Sequence, residues 1–137
     1  MGDLLTGLNL EGERNSVIIS ETNLYGTILS ANDSFCNISG YKRDELIGSS
    51  HNIIRHPSMP KELFRQLWMT LQQGDTFRAV IKNRAKDGSH YWVSATIMPV
   101  FQGDKIIRYV GGRHLITDEE LAEELFKKQM DGFENKA

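Results

Sequence analysis

Phe77-Arg78-Ala79-Val80-Ile81-Lys82-Asn83, the turn Lys86-Asp87-Gly88-Ser89, and His90-Tyr91-Trp92-Val93-Ser94-Ala95-Thr96-Ile97-Met98-Pro99-Val100 decide the fold of this 137-residue chain. Both flanking runs are rich in β-branched and aromatic residues, and an Asp-Gly pair between two such runs suits the left-handed φ angles of a tight hairpin turn. The stretch predicts an antiparallel hairpin. Downstream, Gln102-Gly103-Asp104 is a further turn, and Lys105-Ile106-Ile107-Arg108-Tyr109-Val110-Gly111-Gly112 supplies the last strand. Upstream, Val17-Ile18-Ile19-Ser20 and Tyr25-Gly26-Thr27-Ile28-Leu29-Ser30 give another hairpin, joined at Glu21-Thr22-Asn23.

Between the hairpins the pattern is helical. Asn32 or Asp33 can cap a short helix ending at Gly40, and Lys42 to Leu46 makes another turn stopped by Gly48. From Met59-Pro60 a longer helix runs to Gln73, with Leu63, Leu67 and Leu71 on one face and Pro60 suited to its first turn. Two strands, short helices, one longer helix and three strands make an α+β fold, a five-stranded antiparallel sheet with helices on one face. Thr117-Asp118-Glu119-Glu120 has the capping-box pattern, so an exit helix starts there, with Leu121, Leu125 and Phe126 as its apolar stripe. Such a narrow seam suits a connector or a homodimer contact better than a core. The chain divides into a leader or cap over 1–14, with a short helix around Leu4 to Leu10, a sensory domain over 15–116 and a connector helix over 117–137.

Hydrophobic content of 39% and charged content of 25% fit one ordinary domain. Sixteen Lys+Arg against eighteen Asp+Glu leave a net charge of -2, too balanced to draw nucleic acid or an anionic membrane by long-range field. A single cysteine, Cys36, can make neither an internal disulfide nor a thiolate metal cluster, which suits a reducing cytoplasm. No run approaches the roughly 18 apolar residues of a membrane span, so the chain reads as a cytoplasmic segment, compatible with a place in a membrane-attached receptor. Neither a nucleophile–base set nor a phosphate-binding glycine fingerprint is recognisable in sequence order, so an enzyme is not expected.

Ser50-His51-Asn52-Ile53-Ile54-Arg55-His56-Pro57-Ser58-Met59-Pro60 is too polar for core and too restricted by proline for a flexible linker. It reads as a shaped wall presenting side chains to a small molecule. Taken alone, Arg55 is a surface ion-pair residue and His56 a helix-start residue facing water, while Trp68 is either a core tryptophan or the wall of a cavity between helix and sheet.

A family resemblance changes that balance. Tyr25-Gly26-Thr27-Ile28-Leu29-Ser30-Ala31-Asn32, then Phe35, Ser39-Gly40-Tyr41 and Glu45-Leu46-Ile47-Gly48 resembles the opening of a PAS domain. Asn83-Arg84 through Asp87-Gly88 to Trp92 resembles its central hairpin. His51-Asn52-Ile53-Ile54-Arg55-His56-Pro57 followed by Met59-Pro60, Trp68, Gly74, Lys82-Asn83-Arg84 and His90-Tyr91-Trp92-Val93 resembles the aerotaxis-receptor type, whose PAS domain holds FAD. The resemblance implies a PAS fold and a non-covalent FAD site built from His51, Asn52, Arg55, His56, Ser58, Trp68, Asn83 and Trp92. In that site Arg55 pairs with phosphate or a flavin carbonyl, Trp68 packs on a ring face and Asn83 meets the flavin edge near N5 and O4. It further implies a redox or oxygen sensor that signals to an output domain. The chain departs from this type at Ser58, where an acidic residue is usual, and at Leu115-Ile116-Thr117, where many PAS domains read Asp-Ile-Thr. Two readings stay open beside it: a haem sensor ligated by His51, His56, His90 or His114, and a cofactor-free dimerisation or interaction module.

Overall fold

The computed structural model describes residues 17–135; the leader expected over 1–14 lies outside them. Strand β1 (Ile18–Thr22) and strand β2 (Ile28–Ala31) form the first hairpin, and helix α1 (Asp33–Ser39), helix α2 (Arg43–Leu46) and a 3-10 turn (His51–Ile54) follow. Helix α3 (Lys61–Gln72) leads to strands β3 (Phe77–Arg84), β4 (His90–Gln102) and β5 (Lys105–Ile116), and helix α4 (Glu119–Glu134) leaves the sheet. The five strands are antiparallel in the order β2-β1-β5-β4-β3, so first and last strands meet at the centre and β3 is an edge.

Local chemistry moves several expected boundaries. The first turn falls later than Glu21-Thr22-Asn23, because the Asn23 carboxamide oxygen accepts from the backbone N–H groups of Tyr25 and Thr27. Gly26 within that loop takes φ of 86°, a left-handed value that costs glycine little. Strand β5 does not stop at Gly112 but runs on through Arg113 to Ile116, paired with β1 and β4. The exit helix is capped by Asp118, whose carboxylate accepts from the Leu121 N–H.

The core lies between one sheet face and the helices. Helix α3 buries Leu63, Leu67 and Leu71 there, and Phe35, Leu46 and Val93 are fully enclosed. Alternation puts Tyr91, Val93, Ala95 and Ile97 of β4 on this inner face and Trp92, Ser94 and Thr96 on the outer one. Helix α4 docks on the outer side of the sheet at Trp92 and reaches past the β3 edge, where Phe133 stacks on Phe77 at 6.2 Å. Of its expected apolar stripe, Leu121 and Leu125 are exposed while Phe126 packs inward, together with Ala122, Met130 and Phe133. Phe126 meets Trp92 at 5.5 Å between ring centroids, and the Gln129 carboxamide bonds both backbone groups of Val80 on the open β3 edge, at 2.6 and 3.0 Å. That two-point contact replaces a neighbouring strand and protects the edge.

Asn32 fastens the first hairpin to α1. Its side-chain oxygen accepts from Phe35 N–H at 3.1 Å as helix cap and from Ile19 N–H at 3.0 Å, while its amide donates to the Val17 carbonyl at 2.8 Å. Asn32→Ala is expected to lower unfolding free energy by about 2 kcal/mol in denaturant titrations, because the cap and a strand contact go together. Asn32→Asp keeps the acceptor and loses only the donor, so it falls between Ala and wild type.

Candidate functional site

Between the inner face of the sheet and helix α3 lies a cleft with about 730 Å³ of atom-free space, solvent at its mouth included. The walls are mostly apolar, with Phe64, Leu67 and Leu71 from α3 facing Ile81 and Ile97 from the strands. A mostly apolar pocket with a few placed polar groups is the usual form of a small-molecule site. The polar groups here occupy two levels, a floor on the strands and a rim on the loop before α3.

Arg113 makes the floor. Its side chain sits within the inner face at 5% exposure, with no carboxylate partner among the described residues. Arg113 Nη2 donates to Ser20 Oγ at 3.0 Å and to His51 Nε2 at 3.1 Å, and Nη1 lies 3.4 Å from the Ile18 carbonyl. Since a guanidinium can only donate, His51 Nε2 must accept, which leaves the ring proton on Nδ1. The Ser20 hydroxyl, 3.0 Å from the same nitrogen, then donates to it. Burial first, and the Arg113 charge second, push the His51 pKa down to about 3, so the ring is neutral at physiological pH. Burial also lowers Arg113, to about 10, which leaves it charged.

Asn83 and Tyr91 form a second polar pair, farther along the strands than the level at which Arg113 pairs with Ala95. They are directly paired on β3 and β4, and both face inward. The Tyr91 hydroxyl is buried without a hydrogen-bond partner, and burial pushes its pKa up to about 12 against the pull of the Arg113 charge and the Asn83 amide. A buried polar group left unpaired costs free energy that an incoming partner recovers.

The rim comes from the proline-bounded loop. Arg55 lies flat over the Phe64 ring at 3.5 Å, its Nε buried and unpartnered, and its backbone bridges to Asn83. Burial alone lowers its pKa. Asn52 and Trp68 share the mouth, where the cleft continues into a polar groove lined by Tyr25, Ser50 and Gln72. Trp68 stands edge-on to Tyr109 at 5.7 Å and covers Gly26, so its indole closes one side of the opening.

Of the eight residues expected in the site, His51, Asn52, Arg55, Trp68 and Asn83 line the cleft. Three do not. Trp92 points to the outer face, donating its indole N–H to Glu119 at 3.1 Å beneath α4; strand parity separates it from the inward Tyr91 and Val93. His56 points away from the cleft and packs edge-on against His90 at 6.1 Å. Ser58 serves His56 rather than a ligand: its N–H and hydroxyl lie 3.1 and 2.8 Å from His56 Nδ1. Serine thereby orders the loop at the position where an acidic residue was expected.

Ser20 and Arg113, which also line the cleft, escaped the sequence reading. The signal for Arg113 was Gly111-Gly112 immediately before it, since glycines within a strand mark a close approach. A side chain at Gly111 would place its Cβ 2.8 Å from Arg113 Nη2, so the missing side chain is the space the guanidinium occupies.

Comparison with known proteins gives the family and the fold. The PAS fold model matches residues 28–113. The chain is 44% identical over 115 residues to the aerotaxis receptor of Escherichia coli strain K12, covering 82% of this chain and 23% of the receptor. It is 34% identical over 88 residues to a nitrogen fixation regulatory protein of Klebsiella pneumoniae, covering 64% of this chain and 18% of that protein. The chain thus spans less than a quarter of either relative. In three dimensions it is similar to the light-state structure of the blue-light photoreceptor Aureochrome1 LOV, with a TM-score of 0.76 at 17% identity over 85% of this chain and 94% of that one.

The half-buried His51 makes a pH prediction. Its folded pKa lies below the ordinary value of 6.5, so the unfolded chain binds the extra proton first and stability falls as pH drops below about 6.5. Ligand-free protein is expected to lose up to about 1.4 kcal/mol per pH unit from this group between pH 6 and 5 in denaturant titrations. His51→Gln keeps an acceptor for Arg113 and flattens that slope; an unchanged slope would remove His51 as its source.

Proposed function

The chain belongs to the PAS fold family, and we propose that it is the flavin-binding sensory domain of a larger signalling protein. FAD is the form of flavin the cleft suits best. The carrying observation is a single opening between α3 and the sheet with an apolar slot inside, a polar groove outside, and two guanidiniums that lack carboxylate partners among the described residues. The slot suits the ring system, and the groove with Arg55 and Asn52 suits the pyrophosphate. When bound, the flavin supplies a ring whose charge and protonation change on reduction. Similarity to a receptor named for aerotaxis supports oxygen or redox state as the input.

The residues of this chain do the transmission. Asn83 presents its amide to the ring edge from β3, and the same strand is gripped from outside by Gln129 of α4 through Val80. Reorientation of Asn83 strains a strand whose free edge is tied to the exit helix, and Glu119 ties Trp92 and His90 to the start of that helix. In this scheme residues 15–116 are the sensory unit and 117–137 the connector. Exposed Leu121 and Leu125 then remain for an output domain in the same or an associated chain, or for a second copy of the connector.

The histidines favour flavin over haem. His51 Nε2 already accepts from Arg113 and Ser20, and His56, His90 and His114 lie off the cleft. A buried guanidinium beside the ring nitrogen is a poor neighbour for a ferric iron.

Purified protein is expected to show paired flavin absorption bands that bleach with dithionite and to release FAD on denaturation. Asn83→Ala and Trp68→Ala should each weaken FAD by about tenfold or more, the value of one buried hydrogen bond or aromatic contact. Ser58→Ala and Trp92→Phe should bind within about threefold of wild type, since neither side chain reaches the cleft. A Soret band, or protein that stays colourless after FAD addition, contradicts the proposal.

A further inference from the structure

The flavin reading leaves the floor of the cleft unexplained, and the floor is the most unusual chemistry in the molecule. Arg113 is a buried cation whose three hydrogen-bond partners, Ser20, His51 and the Ile18 carbonyl, are all neutral. An uncompensated charge at this depth costs several kcal/mol. The site is nonetheless built for it: Gly111 leaves the space for Nη2, and the Phe35 ring lies 5.7 Å from the guanidinium carbon. Asn83 lines the same cleft from β3.

A guanidinium on the floor and the Asn83 amide on the wall of a mostly apolar slot match a planar ligand whose edge carries acceptors and negative charge. Arg55 and Asn52 stand at the open groove and suit the pyrophosphate, which leaves the floor for the ring. Resting on the flavin proposal, we infer that Arg113, held by Ser20 and His51 over Gly111, is the inner anchor of the ring: it receives the pyrimidine edge and acts as its counter-charge. The ring enters with that edge foremost. Ser20 and His51, at the wall of the cleft, are positioning residues that fix the guanidinium. The empty domain therefore carries a cost that binding relieves, so the same residue that destabilises the apo form strengthens the complex.

Opposite effects on the two forms give the test. Apo and FAD-loaded preparations of wild type, Arg113→Met and Arg113→Lys are compared by thermal unfolding, and binding is titrated with FAD and with lumiflavin, which has the ring but neither ribityl chain nor phosphate. Arg113→Met is expected to raise the apo melting temperature while weakening both flavins by the same factor, about 10- to 100-fold, as for a hydrogen bond to a charged group. Arg113→Lys keeps the charge but loses the planar fork, so both flavins weaken by a smaller common factor; this variant decides the question if the methionine protein does not fold. Unchanged binding in both variants overturns the inference, as does a loss confined to FAD, which would put Arg113 on the phosphates. A lowered apo melting temperature in a folded Arg113→Met protein also overturns it, by making Arg113 a structural brace. Wild-type protein that binds neither flavin defeats the flavin proposal itself, and that result is separable because it involves no variant.

Discussion

The centre of this domain is organised around one buried positive charge that no carboxylate among the described residues neutralises. Taking a guanidinium out of water is costly, and folded proteins normally bring a carboxylate with it. Here β1 brings a serine and a carbonyl, the 3-10 turn brings a histidine, and β5 brings a glycine whose absent side chain makes room. The histidine is held neutral by the same burial and the same charge. Each of these contacts ties a different element to the sheet centre, where the first and last strands meet. The cleft is the space left between that charged floor and the leucine face of α3.

The sheet separates two jobs by strand parity. Along β3, Ile81 and Asn83 face the cleft while Val80 and Lys82 face the exit helix side. Along β4, Tyr91 faces the inner side and Trp92, one residue on, packs under Phe126 and bonds Glu119. A shift of a fraction of an ångström at either strand is felt on both faces, because closely packed neighbours leave little room to absorb it. Gln129 makes the edge strand the tightest of these links, since it fixes backbone rather than side chain. The exit helix is therefore part of the folded unit along its inner stripe, while its Leu121 and Leu125 face outward.

Much of this was legible in the sequence. Asp87-Gly88 and the alternation around it specify the central hairpin, the Leu63, Leu67 and Leu71 spacing specifies α3, and the proline-bounded run marks the cleft rim. Two kinds of information were not. Strand parity could not be assigned for Trp92, because Trp92 and Val93 are both buried and a strand covered on both faces has no polar side to reveal its register. Arg113 was lost because the glycine pair before it reads as the end of a strand. In the fold those glycines continue the strand, and they do so next to a guanidinium that needs their space. The exit helix failed differently: Leu121 and Leu125 look like its seam by composition, but Ala122, Phe126 and Gln129 form the contact, and a glutamine gripping a strand edge has no hydrophobic signature.

The central claim is that the ligand occupies the cleft beside Trp68, on the side of the sheet away from Trp92. The chain has two tryptophans, one on each side, so a nitrogen-15 correlation spectrum shows two indole N–H peaks as internal reporters. Assigned by Trp68→Phe and Trp92→Phe, they can be followed as FAD is added to apo-protein. The account predicts that the Trp68 peak shifts strongly under the flavin ring current while the Trp92 peak moves little. A large shift at Trp92 with Trp68 unmoved, or no shift at either at saturating FAD, would contradict it.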